Sequence, residues 1–222
     1  MLVASKNGTR VRPSKTRERA SCPICGAEVV SRCGEINVWH WAHRAIAGCD
    51  PWIEAETEWH SNWKSLVPEN WIEIVIEKDG RRRCADIRLP NGRVVKLQPA
   101  PLLPEEIRDY ERFFGDMVWI FDVRESRESL DAYGLPRLDL RKKDMSPMAK
   151  QLHGVKDTPT NYRTFRWKHP RKHIAFVTKP VFLDIGENQV FRLDKLYPER
   201  PSGGFGFLFS VKALLAWFKN QD

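Results

Sequence analysis

Residues 71–98 read WIEIVIEKDGRRRCADIRLPNGRVVKLQ, and this stretch decides the fold. Trp71–Glu77 alternates polar and apolar side chains, as strands do, and Asp79-Gly80 is a strong two-residue hairpin signal. Arg83–Leu89 is then the returning strand, and a second tight turn leads into Val94–Gln98. The stretch therefore predicts three consecutive strands joined by tight turns.

Helices are predicted on both sides of these strands. Residues 53–66 form a helical pattern that ends before Pro68, and Pro104–Phe114 opens with a proline and two glutamates, as helix starts do. Asp116–Val123 is a nearly continuous apolar run, which suits a strand buried on both faces. The predicted order is helix, three strands, helix, strand, in a domain of the α+β or α/β class. Ser210–Lys219 predicts a terminal amphipathic helix.

A chain of 222 residues is long enough for one good-sized domain and a small additional module. We expect four regions, divided by composition and pattern. They are a basic N-terminal arm or irregular lead-in strand at 1–20, a metal-binding module at 21–52, the core domain at 53–135, and a basic region with short strands and a terminal helix at 136–222.

The charge of the chain favours polyanionic partners. Its net charge is +8 and its pI is about 9.4, which favours DNA, RNA or an anionic membrane surface.

A membrane-spanning segment is not expected, because no run approaches the ~20 apolar residues that a spanning helix needs. The first residues turn polar at once and carry no secretory signal, so we expect a cytoplasmic protein. The sequence carries no signal of oligomeric state.

Cysteine and histidine residues cluster between positions 22 and 49. Cys22 and Cys25 form a Cys-x2-Cys knuckle, and His40 and His43 follow at a spacing close to that of zinc fingers. In a reducing compartment this spacing predicts metal chelation rather than a disulfide. Cys22, Cys25 and His43 are the expected zinc ligands, and the fourth is either His40 or Cys49. A full set of four protein ligands predicts a structural zinc ion.

A second group of residues has the layout of a metal-dependent nuclease. Such an enzyme holds Mg²⁺ or Mn²⁺ with carboxylates beside the scissile phosphate. Asp86 lies on the second predicted strand, and residues 96 and 98 lie two apart on the third, so they face the same way. Glu56 can reach this face from the first helix. His60 follows one turn later, where it either orients phosphate or water or simply pairs with Glu56.

The ordered motifs from Cys22 to Val123 resemble the CoiA-like competence protein family, within the PD-(D/E)xK nuclease superfamily. The matching elements include Cys22-Pro-Ile-Cys25, His40-Trp-Ala-His43, Glu56-Thr-Glu-Trp-His60, Arg83-Cys-Ala-Asp86-Ile87, Leu97-Gln98, Pro104-Glu-Glu-Ile-Arg108 and Met117-Val-Trp-Ile-Phe121. The resemblance implies a zinc knuckle, a restriction-endonuclease-like core and a role in DNA processing. It implies catalytic positions at Glu56, His60, Asp86, Lys96 and Gln98.

The sequence departs from the family pattern at position 96. The family's strand motif is similar to Glu-x-Gln, whereas this chain reads Lys96-Leu97-Gln98. At an effective dielectric near 20, exchanging attraction for repulsion between two unit charges ~4 Å apart changes their interaction by several kcal/mol. Lys96 should therefore oppose Mg²⁺, and we expect impaired hydrolysis of DNA. The alternatives are a rearranged site, in which Glu56 and Asp86 hold the metal and Lys96 stabilises charge, and an inactive module that binds nucleic acid or protein.

Residues 162–173 interleave aromatic rings with cations. Single-strand binders use this mixture to stack bases and to follow phosphates. The alternative is a solvated edge strand on which Tyr162 and Phe165 pack inward. The predicted contacts to single- or double-stranded DNA are Arg163, Arg166, Trp167, Lys168, Arg171 and Lys172.

Overall fold

The computed structural model describes residues 1–34, 38–44, 49–50, 56–126, 162–166, 171–197 and 203–220, with residues 162–166 described by their backbone alone. These residues form a mixed α/β structure with few helices. The chain divides into two compact units. The first comprises Met1–Leu97 and Lys219–Asp222, and the second comprises Gln98–Phe218. Among the described residues, no helix is both long and apolar enough to cross a membrane.

The first unit begins with a five-stranded antiparallel sheet in the order β2-β1-β3-β4-β5. The strands are β1 (Ala4–Lys6), β2 (Thr9–Val11), β3 (Arg19–Ser21), β4 (Glu28–Arg32) and β5 (His40–His43). Residues 1–20 are therefore not an arm separate from the metal-binding module. They supply β1, β2 and most of β3, and Ala4 and Val11 pack with Val29 and Trp41 in one apolar cluster.

The first unit continues with α1 (Glu58–Ser65), β6 (Ile72–Lys78), β7 (Arg81–Arg88) and β8 (Val94–Gln98), whose last residue falls in the second unit. β6 pairs with β7 and β7 with β8, both antiparallel. The predicted hairpin turn is present, because Asp79 and Gly80 both have positive φ angles, 52° and 70°. Two positive φ angles are what the common two-residue hairpin turn requires.

Helix α1 begins later than the sequence pattern predicts. Thr57 is its N-cap, and the Thr57 side chain accepts a hydrogen bond of 3.2 Å from the backbone N–H of His60. Glu56 consequently precedes the helix and does not share a helical face with His60 and Lys64. The predicted start of the helix at residues 53–55 lies outside the described residues.

The described residues of the second unit form five strands in the order β10-β13-β12-β11-β9. β9 and β11 are parallel, and the other neighbours are antiparallel. β9 is buried along almost its whole length, as its apolar run predicts. The elements are α2 (Pro104–Phe114), β9 (Met117–Asp122), β10 (Tyr162–Arg166), β11 (Val181–Gly186), β12 (Gln189–Leu196), β13 (Gly203–Ser210) and α3 (Val211–Lys219).

Candidate functional site

Four metal-ligating side chains converge in the first unit. The ligand atoms of Cys22, Cys25, His43 and Cys49 all lie within 4.8 Å of one another. The Sγ atoms of Cys22 and Cys49 are 3.8 Å apart, and Cys25 Sγ lies 3.4 Å from His43 Nε2. A tetrahedral site with Zn–S bonds of about 2.3 Å has sulfur–sulfur edges of about 3.8 Å. The Cys₃His cluster therefore has the dimensions to hold a metal such as zinc.

A tight turn after β3 presents the first two thiols. The turn is closed by hydrogen bonds from Gly26 N to Cys22 O (2.9 Å) and from Cys22 N to Ala27 O (2.8 Å). The backbone N–H of Ile24 also points at Cys22 Sγ, at 3.4 Å. Gly26 has a φ angle of 76°, which a residue without a side chain adopts most readily. Local hydrogen bonds therefore help to define the shape of the knuckle turn.

Cys49, and not His40, completes the cluster. His40 and His43 are three residues apart on β5, and an odd separation places their side chains on opposite faces of the strand. His40 Nδ1 instead lies 2.8 Å from the carbonyl oxygen of Val38. Burial and the neighbouring thiol groups raise the pKa of Cys49 to about 12. A bound metal would replace that proton, because metal ions bind the thiolate form.

Two consecutive arginines of strand β7 contact residues that adjoin the cysteines of the metal cluster. Arg82 donates hydrogen bonds to the carbonyl oxygens of Ile24 (2.8 Å) and Pro23 (2.9 Å), within the knuckle turn. The next residue, Arg83, forms an ion pair with the buried carboxylate of Asp50, which follows Cys49. The same strand carries Asp86 three residues later, so one short segment supports the metal cluster and the predicted catalytic carboxylate.

A pocket in the first unit collects most of the residues that the sequence singled out for catalysis. Its charged and titratable lining consists of the N-terminal residue Met1 and of Asp50, Glu56, His60, Lys64, Glu73, Cys84, Asp86 and Lys96. Pro23 and Ile24 of the knuckle also line it. The pocket is therefore formed by the metal-binding module together with α1 and strands β6–β8.

Lys64 lies between two buried carboxylates. Its Nζ donates to Glu56 Oε1 and Oε2, at 3.1 and 2.9 Å, and to Glu73 Oε1 at 2.8 Å. The side chains of all three residues are 3–4% exposed. Burial lowers the pKa of Lys64, but the carboxylates of Glu73 and Glu56 outweigh burial and raise that pKa above its usual value. Lys64 therefore stays charged and offsets one of the two negative charges of Glu56 and Glu73. The N-terminal ammonium group of Met1 lies 4.0 Å from Glu56 Oε2 and is a second cation near this pair.

Glu73 is a central residue of the pocket that the sequence did not reveal. Its Oε1 and Oε2 accept hydrogen bonds of 2.7 Å each from the backbone N–H groups of Leu2 and Val3. Burial raises the pKa of Glu73, but the charge of Lys64 and these hydrogen bonds lower it to about 2. Within β6, Glu73 occupies a polar position between isoleucines, a pattern that predicts exposure. Its burial depends on a segment about 70 residues away, which local patterns do not show.

Asp86 forms a second buried ion pair, with Lys96. Lys96 Nζ lies 2.9 Å from Asp86 Oδ2, and the backbone N–H of Leu97 donates to the same oxygen at 2.9 Å. The two side chains are 5% and 14% exposed. Burial raises the pKa of Asp86, but the charges of Lys96 and then Lys64 bring it below its usual value. The pair is thus a carboxylate neutralised by an ammonium group.

His60 is fixed by neighbours other than Glu56. Its Nδ1 lies 2.9 Å from the hydroxyl oxygen of Thr57, and its Nε2 lies 3.3 Å from the carbonyl oxygen of Leu97. A carbonyl oxygen can only accept, so His60 Nε2–H donates to Leu97. These two contacts hold the imidazole ring between the start of α1 and the end of β8.

The remaining predicted site residues lie in the second unit. Gln98 is buried, and its Nε2 donates to the carbonyl oxygen of Ala100 at 2.9 Å. Arg163 and Arg166 belong to β10, which ends the strand order of that unit, and Lys172 is exposed. Burial lowers the pKa of Arg171, which is partly buried. Trp167 and Lys168 lie outside the described residues.

A family model matches the N-terminal part of this chain. No curated protein and no solved structure matches it. Residues 4–51, which span β1 to β5 and include all four residues of the Cys₃His cluster, match the family model of the competence protein CoiA, N-terminal domain.

Proposed function

We propose that this protein is a nuclease-type DNA-binding protein that does not hydrolyse the phosphodiester bond. The observation that carries the proposal is the buried contact of 2.9 Å between Lys96 Nζ and Asp86 Oδ2. A metal-dependent nuclease needs that carboxylate to hold a divalent cation. Here an ammonium group lies against it, so the position that a metal would take is occupied by a side chain.

The second lysine of the pocket strengthens the proposal. Lys64 donates to both oxygens of Glu56 and so engages the other carboxylate that was expected to bind a catalytic metal. A divalent ion would have to displace two buried ammonium groups and would then be repelled by them. At a separation of ~4 Å and an effective dielectric near 20, repulsion between a divalent and a monovalent cation reaches about 8 kcal/mol.

Zinc is the metal that we propose for the Cys₃His cluster. Three thiolates and one imidazole select zinc over Mg²⁺, which prefers oxygen ligands. Four protein ligands leave no open coordination position for water, so the role of the ion is structural. It would fix the knuckle turn against β7, through the hydrogen bonds from Arg82.

Two observations support an action on DNA. Residues 4–51 match the N-terminal domain of a competence protein, and the chain carries a net charge of +8. The element order α1, β6, β7, β8, α2, β9 is also the order that the PD-(D/E)xK resemblance implies. We therefore propose that the fold is a restriction-endonuclease-like core and that its ligand is DNA.

A working, rearranged nuclease is the second candidate. One observation favours it, because Glu56, His60, Asp86 and Lys96 all line the same pocket. In that arrangement Glu56 and Asp86 would hold Mg²⁺ or Mn²⁺, and Lys96 would steady the charge of the phosphate.

A cleavage assay separates the two candidates. Single- and double-stranded DNA are incubated with the purified protein and Mg²⁺ or Mn²⁺, and binding is measured in parallel. We expect binding without cleavage by the unmodified protein, cleavage by Lys96→Glu, and none by the control Lys96→Gln, which removes the charge without adding a carboxylate. Cleavage by the unmodified protein that disappears in Asp86→Ala would establish the second candidate instead. Cleavage that survives Asp86→Ala would exclude this pocket as the active site.

A further inference from the structure

Strand β13 presents a row of aromatic rings on one face of the sheet in the second unit. Residues 203–210 read GGFGFLFS, and Phe205, Phe207 and Phe209 are two residues apart, so their side chains share a face. All three are partly exposed. The ring centroids of Phe207 and Phe209 are 6.3 Å apart, and that of Tyr197 is 6.3 Å from that of Phe205. The row therefore extends along the whole strand.

The neighbouring strand β12 places two cations beside these rings. Arg192 lies directly opposite Phe207, and Lys195 lies directly opposite Phe205. Side chains in such positions have their β carbons about 5 Å apart on the same face of the sheet. Both cations are exposed to solvent. Each ring therefore has a solvated positive charge next to it.

A β-bulge is what brings both cations to the same face. Arg192 and Lys195 are three residues apart, so in a regular strand their side chains would lie on opposite faces. The register between β12 and β13 shifts between Leu193 and Lys195, with Asp194 as the extra residue. The shift returns the side chain of Lys195 to the face that carries Arg192 and the rings.

Helix α3 packs on one part of this face, and the remaining part is open. The rings of Trp217 in α3 and Phe182 in β11 are 6.0 Å apart, and Phe182 lies opposite Arg192. Phe182 and Val190 are 3% and 0% exposed, as expected of core residues. Arg192 is two residues from Val190 on the same face but is exposed. The face thus changes from core to solvent-accessible surface at Arg192.

The residues that alternate with the rings are glycines for a structural reason. A β carbon at Gly204 would overlap with the carbonyl oxygen of Lys195, and one at Gly206 would overlap with that of Arg192. Strand β13 therefore lies close to β12 on the side away from the rings. The RNA-recognition motif stacks bases on a strand with the same alternation of glycine and aromatic residues, within a sheet.

We propose that this aromatic face, consisting of Arg192, Lys195, Tyr197, Phe205 and Phe207, binds single-stranded nucleic acid. Bases stack on the rings of Phe205 and Phe207, and the two cations contact the phosphates. A paired base is already stacked between its neighbours in the duplex, so a single strand is the expected ligand. Strand β10, part of the predicted basic segment, pairs with β13 on its other side. The aromatic face extends the proposed function, on which it rests, by naming a surface and the strandedness of the ligand.

The first test removes the rings and measures binding by fluorescence anisotropy. The probes are a labelled oligothymidine and a labelled duplex of the same length. Phe205→Leu/Phe207→Leu keeps two apolar side chains but offers no ring for stacking, so binding of the single strand should weaken about tenfold or more. Binding of the duplex should change less than about twofold. The control Phe176→Leu, which removes a ring that is 48% exposed outside this face, should bind both probes as the unmodified protein does.

The second test removes the cations, at exposed positions where substitution leaves the fold intact. Arg192→Gln/Lys195→Gln should reduce the slope of log K against log salt for oligothymidine by about 1.4, at ~0.7 per phosphate for a single strand. Its control, Arg88→Gln/Arg108→Gln, removes the same charge from exposed positions outside the face and should keep the slope. Circular dichroism verifies that each variant is folded.

The outcomes separate the aromatic face from the proposed function. If the unmodified protein binds neither probe, both fail. If it binds, and the folded ring variant weakens single strand and duplex equally or not at all, the aromatic face is excluded while DNA binding itself stands. An unchanged salt slope in Arg192→Gln/Lys195→Gln, or an equal reduction in its control, excludes the face in the same way.

Discussion

At the scale of single residues, two lysines determine what the pocket can do. Lys64 forms ion pairs with both Glu56 and Glu73, and Lys96 neutralises Asp86. The departure at position 96 is visible in the sequence, because one cation stands where a carboxylate is expected. The role of Lys64 is not visible there, since it depends on Glu73 and on backbone groups of the residues that precede β1. Charge pairs between distant segments are set by tertiary structure, which local patterns do not encode.

Lys64→Met should destabilise the protein strongly. The substitution leaves the buried carboxylates of Glu56 and Glu73 with only the N-terminal ammonium group, 4.0 Å from Glu56 Oε2, as a nearby cation. Removing one partner of a buried ion pair typically costs about 3–5 kcal/mol. The exposed residue Lys78 on β6 offers a matched control, and Lys78→Met should change stability by less than about 0.5 kcal/mol. Urea unfolding at pH 7 measures both. Similar unfolding free energies for the two variants would show that the Lys64 cluster does not stabilise the fold.

The low pKa of Glu73 predicts acid sensitivity. Its pKa is about 2 in the folded protein against an ordinary value of 4.5, so the ionised carboxylate contributes stability that is fully present above pH 4.5. That stability is lost as the pH falls from about 4.5 towards 2. The raised pKa of Glu56 acts in the opposite sense and offsets part of the effect.

The free energy of unfolding, measured between pH 7 and pH 2, should therefore fall more steeply for the unmodified protein than for Glu73→Gln. The variant has no carboxylate to protonate at this position, although it starts from a lower stability at pH 7. Parallel curves for the two proteins would contradict the assigned pKa.

At the scale of elements, the residue types found in turns and at helix starts predict where an element begins or ends better than helical periodicity does. The hairpin at Asp79-Gly80 and the helix Pro104–Phe114 follow local rules, so the sequence predicts their positions. The periodic pattern starts α1 too early because Thr57 fits as one more helical residue, whereas its side chain caps the helix. The choice between His40 and Cys49 depends on knowing that residues 40–43 form a strand, which the spacing alone does not show.

Zinc binding by the Cys₃His cluster should require Cys49 but should not require Cys33 or His40. Cys49→Ser removes one ligand of the Cys₃His cluster, so tight zinc binding should be lost and the melting temperature should fall. Cys33→Ser and His40→Ala are matched controls, because neither residue belongs to the cluster. Both should retain one zinc ion per chain, measured by elemental analysis after dialysis. Loss of zinc from His40→Ala with retention in Cys49→Ser would reverse the assignment.

At the scale of the whole molecule, the net charge of +8 favours a polyanionic partner. The sequence predicts the basic segment near β10 as the surface for such a partner. The family match covers residues 4–51 and does not extend to this basic segment.

Changing Arg163, Arg166 and Lys168 together to Ala should flatten the salt dependence of DNA binding. Each cation that no longer pairs with a phosphate lowers the slope by about 0.7 for a single strand and by about 0.9 for a duplex. Binding titrations at several salt concentrations measure the change. The control is Arg88→Gln/Arg108→Gln/Lys212→Gln, which removes three exposed cations outside this segment. An unchanged slope would count against this segment as part of the binding surface.

The most direct test of the central claim is a count of the metal ions that the unmodified protein binds. The protein is equilibrated with Zn²⁺ and Mn²⁺ and dialysed. Zinc is quantified by elemental analysis, and Mn²⁺ binding is followed by electron paramagnetic resonance. The account predicts one tightly bound zinc ion per chain and no Mn²⁺ at Asp86, because Lys96 already neutralises that carboxylate. A bound Mn²⁺ ion that disappears in Asp86→Asn would show that the pocket is a metal site, and would contradict the account.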